Sequence, residues 1–127
     1  MKKKIKKHVY NWVQNEDGSF TDLNQRYPIE KLVAWQEDLF WFSNYLYYKL
    51  DSPVFKDDEY DHIVHFLEDY YELCSDELKN LCDKGAIKAS AYMMMELDDR
   101  RMQGLIDWLQ RIKRNDVLES VLEGPTI

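Results

Sequence analysis

Side chains able to do chemistry crowd into one stretch of this sequence, Asn44-Tyr-Leu-Tyr-Tyr-Lys-Leu-Asp-Ser-Pro-Val-Phe-Lys-Asp-Asp-Glu-Tyr-Asp61. Its first half is an aromatic helix end that includes Tyr47 and Tyr48. Its second half sets Asp57, Asp58, Glu59 and Asp61 around Tyr60. Carboxylates accept hydrogen bonds and balance cations, while phenol rings offer a flat apolar face with a polar tip, a combination suited to holding a ligand. No nucleophile–base pair and no Gly-rich phosphate loop accompanies it. A Tyr and Asp cluster alone assists nucleotide hydrolysis only with a metal or a partner, so an independent enzyme is not expected. His62 and His65 follow as an i, i+3 pair near Asp58 and Asp61, but the His-Glu-x-x-His pattern is missing, and a solvated helix face accounts for them without a metal. Cys74 and Cys82 form no Cys-x-x-Cys pair and are expected as buried or half-buried free thiols.

The elements around the stretch read as a helical hairpin. Pro53 cannot continue a helix and biases Ser52 away from helical angles, so a first helix should stop near Leu50 or Asp51. Asp57 is expected to N-cap a second helix from Asp58 to about Leu73, with three carboxylates in the first turn, where unpaired N–H groups and the positive helix end favour them. Upstream, Pro28 precedes a helical run from Ile29 or Glu30. Leu32, Leu39 and Leu46 repeat at seven, and Val33, Trp35, Phe42 and Tyr45 widen the apolar surface. So broad a surface implies burial on two sides, which makes Trp35, Phe40, Trp41 and Phe42 core residues before they are a stacking platform.

The pattern Tyr47-Tyr48-x-x-Asp51-x-Pro53-x-x-x-Asp57-x-Glu59-Tyr60-Asp61 resembles the motif of the N-terminal helical domain of bacterial NAD-dependent DNA ligases, and matches it without a gap. Leu39, Tyr45 and Leu46 upstream, and Ile63, Leu67 and Glu68 downstream, extend the resemblance over about residues 32–74. In that family this small domain holds the nicotinamide mononucleotide (NMN) half of NAD. Tyr47, Tyr48, Asp57, Tyr60 and Asp61 fall on the positions that surround the nicotinamide and its ribose; the position of Tyr48 is His or Tyr in the family. The resemblance therefore implies NMN or NAD as the ligand. A cationic, flat ring is attracted to an aromatic face, and carboxylates take hydrogen bonds from a carboxamide and from ribose hydroxyls. The chain departs from the family in lacking Lys-x-Asp-Gly, the nucleophile motif of the nucleotidyltransferase domain; Asp83-Lys84-Gly85 has the wrong order. A complete ligase is excluded. What remains is a stand-alone binding domain or accessory subunit in nucleotide or DNA metabolism, similar to small phage accessory products, or a reused scaffold.

Composition sets the limits of these readings. A chain of 127 residues, 45% hydrophobic, is expected to form one domain, with an N-terminal arm (1–28), the ligase-like hairpin (29–74) and C-terminal helices (75–127). The expected fold is mostly α, a small helical bundle built on the hairpin, about 30–50 and 58–73. The turn signal Asn15-Glu-Asp-Gly18 allows a short N-terminal β-hairpin. A third helix is expected from Asp76 to Lys84, capped by Ser75 and ended by a left-handed Gly85. One long helix or two should run from Ile87 through Leu97 to Ile112, with Met93-Met94-Met95 filling gaps in the core. Asp116 should cap a last helix stopped by Gly124-Pro125. No apolar run reaches membrane-spanning length and no signal-peptide core follows the lysines, so a cytoplasmic protein is expected. The net charge of −7 argues against broad nucleic-acid binding. Lys2, Lys3, Lys4, Lys6 and Lys7 read as a solubilising tip. Segment 57–78 has nine acidic residues and no Lys or Arg, and its acidic face offers the alternative function: docking to a basic protein partner as an inhibitor or host-modulating factor.

Overall fold

The computed structural model describes the backbone of residues 12–14 and 20–22, and residues 29–124 with their side chains. The fold is mostly helical. Strand β1 (Trp12–Gln14) pairs antiparallel with β2 (Phe20–Asp22), Val13 opposite Thr21, which is the short hairpin the turn signal allowed. The basic tip and the side chains of Trp12 and Phe20 lie outside the described residues.

Helix α1 (Ile29–Tyr48) starts directly after Pro28, as that residue dictates, and ends slightly before the expected Leu50. Asp51 takes the left-handed conformation, φ 52°, and Ser52 N–H returns to the Leu46 carbonyl at 2.8 Å. Asp tolerates this angle better than most residues with a Cβ, and the turn closes the helix before Pro53.

Helix α2 (Asp57–Asp69) corrects two expectations. Its N-cap is Lys56, not Asp57, because Glu59 Oε1 turns back to accept the Lys56 N–H at 2.9 Å. Asp57 is thereby the first helical residue, and its carboxylate is not consumed as a cap. The helix also stops at Asp69 rather than Leu73, and Tyr71–Leu73 forms a 3-10 turn.

Helix α3 (Asp76–Leu81) is capped by Ser75 as expected, its Oγ accepting from Leu78 N–H at 3.2 Å. It ends short of Lys84 because Cys82 is extended and its carbonyl accepts the Tyr71 hydroxyl at 2.6 Å. Gly85 sits in the 3-10 turn Lys84–Ala86 and has no left-handed angle. The expected helix over residues 87–97 is absent; the segment bends through the 3-10 turn Ala91–Met93 and buries Ile87, Ala91 and Met94. Of the methionine run only Met94 fills the core, and Met93 is exposed.

Helix α4 (Asp99–Arg111) then starts afresh, because Asp98 Oδ1 accepts the Arg101 N–H at 2.8 Å. Helix α5 (Asn115–Glu123) is entered through a left-handed Lys113, φ 61°. Its N-cap is Arg114 rather than Asp116, whose carboxylate instead pairs with the Arg114 guanidinium at 3.1 Å. Gly124, at φ 80°, closes the helix where a side chain would be strained.

The described helices share one hydrophobic cluster centred on α1, which packs against α2 on one side and α4 on another. Phe42 sits between Trp35 (6.1 Å between ring centres) and Trp108 (5.9 Å), and Phe55 from the inter-helix turn stacks on Trp108 at 5.5 Å. Phe40, Trp41 and Phe42 are buried core residues; Trp35 is half-buried. Each such side chain stabilises the fold by about 1.5–3 kcal/mol through burial.

A charged cluster lies beside this core. Arg101, 5% exposed, stacks over Trp41 at 4.3 Å and pairs with Glu77 at 2.9 Å, Asp38 at 3.5 Å and Glu37 at 3.7 Å. Glu37, itself buried, accepts the Ser75 backbone N–H at 2.9 Å and also the Ser75 hydroxyl. Among the described residues no helix is long and apolar enough to cross a membrane.

Candidate functional site

The mouth of the α1/α2 hairpin opens into a cleft of about 480 Å³. Tyr47, Tyr48, Asp57, Tyr60 and Asp61 all line it, together with Asn44, the turn residues Pro53 to Phe55, and Lys88. Their convergence follows from local structure. Asn44, Tyr47 and Tyr48 stand at i, i+3 and i+4 on the last turn of α1, and Asp57, Tyr60 and Asp61 repeat that spacing on the first turn of α2. The Pro53 turn places the two faces opposite each other.

Tyr47 and Tyr48 form an exposed aromatic wall, 57% and 45% accessible, with their rings edge to face at 4.9 Å. Surface of this size on two adjacent tyrosines contributes little to the core and remains free to contact a ligand. Tyr60 lies deeper and stacks on Phe40 at 5.8 Å. Its hydroxyl donates to Asn44 Oδ1 at 2.9 Å. Burial raises the Tyr60 phenol, with Tyr48 and Asp61 adding to the effect, so it stays protonated and serves as a donor at neutral pH.

Asn44 is 1% exposed, and with its oxygen committed to Tyr60, its Nδ2 has no hydrogen-bond partner among the described residues. A buried amide nitrogen ordinarily finds an acceptor. Asn44 is one of the residues lining the cleft, and its unpaired nitrogen lies buried beneath that lining.

At the mouth, Lys88 Nζ donates to Asp61 Oδ1 at 2.7 Å. That hydrogen bond raises the Lys88 ammonium, which is charged across the physiological range. Two carboxylates, Asp57 and Asp61, then face one ammonium, leaving the cleft with a negative excess that suits a ligand carrying a cationic ring.

Sequence reasoning missed Asn44 and Lys88. Asn44 had a usable signal, since it shares the helix face of Tyr47 and Tyr48. Lys88 had none, because only the path of the chain after α3 brings it to Asp61. Among the described residues no three metal-ligating side chains cluster; His65 Nδ1 instead meets Glu68 at 3.2 Å. Cys74 and Cys82 are buried free thiols well inside the core.

No family model, curated protein or solved structure matches this chain. The fold and cleft thus define a class by their own geometry: a small helical bundle with an open site lined by tyrosines and aspartates at a hairpin mouth.

Proposed function

We propose that this is a small non-catalytic protein that binds NMN or NAD in the hairpin cleft, serving as an accessory subunit in cytoplasmic nucleotide or DNA metabolism. One observation carries the reading. The five residues that match the nicotinamide-contacting positions of bacterial DNA ligases, Tyr47, Tyr48, Asp57, Tyr60 and Asp61, line a single cleft. The nicotinamide ring would lie against the tyrosine wall, its positive charge would face Asp57 and Asp61, and its carboxamide oxygen would accept from Asn44 Nδ2. The site is open, so much of the ligand stays in water and affinity is expected in the range of about micromolar to millimolar. The test is an NMR titration of the protein with NMN and with NAD, repeated on Asp61→Ala. Saturable shifts confined to residues 44–61 and lost in the variant support the proposal. A folded protein with no shifts at millimolar ligand refutes it.

A second reading, docking of a basic protein partner, is favoured by the exposure of Asp57, Asp58, Asp69, Glu72, Asp76 and Glu77 along the acidic segment. Association through such a face weakens steeply with ionic strength. Nicotinamide stacking with short hydrogen bonds does so much less.

A further inference from the structure

Given nucleotide binding in the cleft, Lys88 bears on which nicotinamide compound is taken. Among the described residues it is the single cation lining the cleft, against Asp57 and Asp61. It comes from outside the hairpin, on the irregular segment after α3. Its backbone is held on both sides, since Ile87 is fully buried and Ser90 and Ala91 are nearly so. Its side chain is 62% exposed and crosses to Asp61, which fixes the ammonium at the mouth.

We infer that Lys88 is the phosphate-recognising residue of the cleft, so that the ligand is a phosphorylated nicotinamide nucleotide and not the bare nucleoside. An ammonium carries three N–H donors. Asp61 Oδ1 accepts one of them, and the others are open to phosphate oxygens. Depth orders the contacts: Asn44 Nδ2 is buried, and Lys88 stands at the solvent edge. A ligand with a carbonyl acceptor on its base and an anion beyond its ribose meets both donors when the base enters first. Without Lys88, the charged groups lining the cleft among the described residues would be the carboxylates of Asp57 and Asp61, which repel a phosphate. Lys88 therefore gives the mouth a local cationic donor for phosphate, while the ring end keeps its negative surroundings.

The experiment compares NMN with nicotinamide riboside by NMR or calorimetric titration of the full chain, in wild type, Lys88→Ala and Lys88→Arg, at low and raised salt. Wild type should prefer the mononucleotide by about tenfold, the effect of one charge-assisted hydrogen bond, and the preference should shrink with salt. Lys88→Ala should lose the preference, the mononucleotide weakening relative to the riboside; Lys88→Arg should keep it. Equal affinities in wild type overturn the assignment. So does equal tightening of both ligands in Lys88→Ala, which would mean that Lys88 only competes with the ring for Asp61. These outcomes leave nucleotide binding itself standing, because the riboside still binds. If neither compound binds wild type, the nucleotide reading fails and the role of Lys88 fails with it.

Discussion

Tyr60 donates its hydroxyl hydrogen to Asn44 Oδ1 at 2.9 Å, tying the first turn of α2 to the last turn of α1 at the floor of the cleft. The bond does two things at once. It joins the two helices at the hairpin mouth, and it commits the Asn44 oxygen, leaving the buried amide nitrogen without a partner among the described residues.

Replacing Tyr60 with Phe keeps the stack on Phe40 and removes that bond, leaving a buried amide with both polar atoms unpaired. A loss of about 1–3 kcal/mol in unfolding free energy is expected, together with weaker NMN binding. Urea denaturation and the NMN titration read the two effects separately. An unchanged midpoint would mean that water replaces the hydroxyl without cost.

Tyr48→Ala should behave in the opposite way. The ring is 45% exposed and outside the core cluster, so stability should change by no more than about 0.5 kcal/mol. Ligand shifts in the cleft should nevertheless collapse, because half of the aromatic wall is gone. Loss of folding rather than binding would place Tyr48 in the core instead.

Arg101 is the most vulnerable charge in the fold. Arg101→Leu removes the cation that faces the buried Glu37, and should cost about 3–5 kcal/mol. The double change with Glu37→Gln should recover part of that loss, since the stranded charge is then absent. Thermal or urea melts of the three variants form the cycle. A single-variant loss below about 1 kcal/mol would show that Ser75 alone suffices for Glu37.

Alkaline pH should destabilise the protein through Cys74. Burial pushes its thiol up to about 12 from an ordinary 9.0, with Glu37 contributing, and the thiol hydrogen faces the Leu67 and Tyr70 carbonyls. The native state thus keeps a proton that the unfolded chain loses. Stability from this group is intact below about pH 9 and declines as pH rises toward 12, by up to about 1.4 kcal/mol per pH unit. Unfolding curves at pH 8, 9 and 10 should show a steeper decline in wild type than in Cys74→Ala. Parallel curves would remove the thiol from the account.

Gly104 faces the ring of Phe42, and a Cβ built there would lie 3.3 Å from Phe42 Cζ. Gly104→Leu should therefore overpack the α1/α4 contact and cost about 1–3 kcal/mol despite a better helix propensity. A stability gain on chemical denaturation would show that α4 has room to move outward.

The hairpin and its cleft were largely legible because local rules decide them. Pro53 breaks the chain, the apolar repeat of α1 sets its buried side, and two i, i+3, i+4 triplets place the lining residues. Ser75 was legible for the same reason. The misreadings arise where distant contacts outrank local preference. Asp57 looks like a cap until Glu59 reaches back over Lys56. Residues 87–97 are rich in helix formers, but the burial of Ile87, Ala91 and Met94 bends them around α1. Nothing near Arg101 in sequence announces that Glu37, Asp38 and Glu77 will surround it. Lys88 escapes notice for the same cause, since its partner Asp61 belongs to another helix.

The double use of Glu37 bears on how the molecule opens. One carboxylate on α1 holds the cap of α3 and faces the guanidinium of α4. Fraying of α3 alone would expose that carboxylate to a half-broken network, so the three helices should exchange their amide hydrogens together, as one cooperative unit. The turn between α1 and α2 is tied to the rest by the surface pairs of Lys88 and Lys49 and by Phe55 on Trp108, and it lies outside the Glu37 network. Amides of the non-helical residues 49–56 should then exchange faster than those of the Glu37 unit, so that the rim of the cleft can adjust without loosening the bundle that carries it.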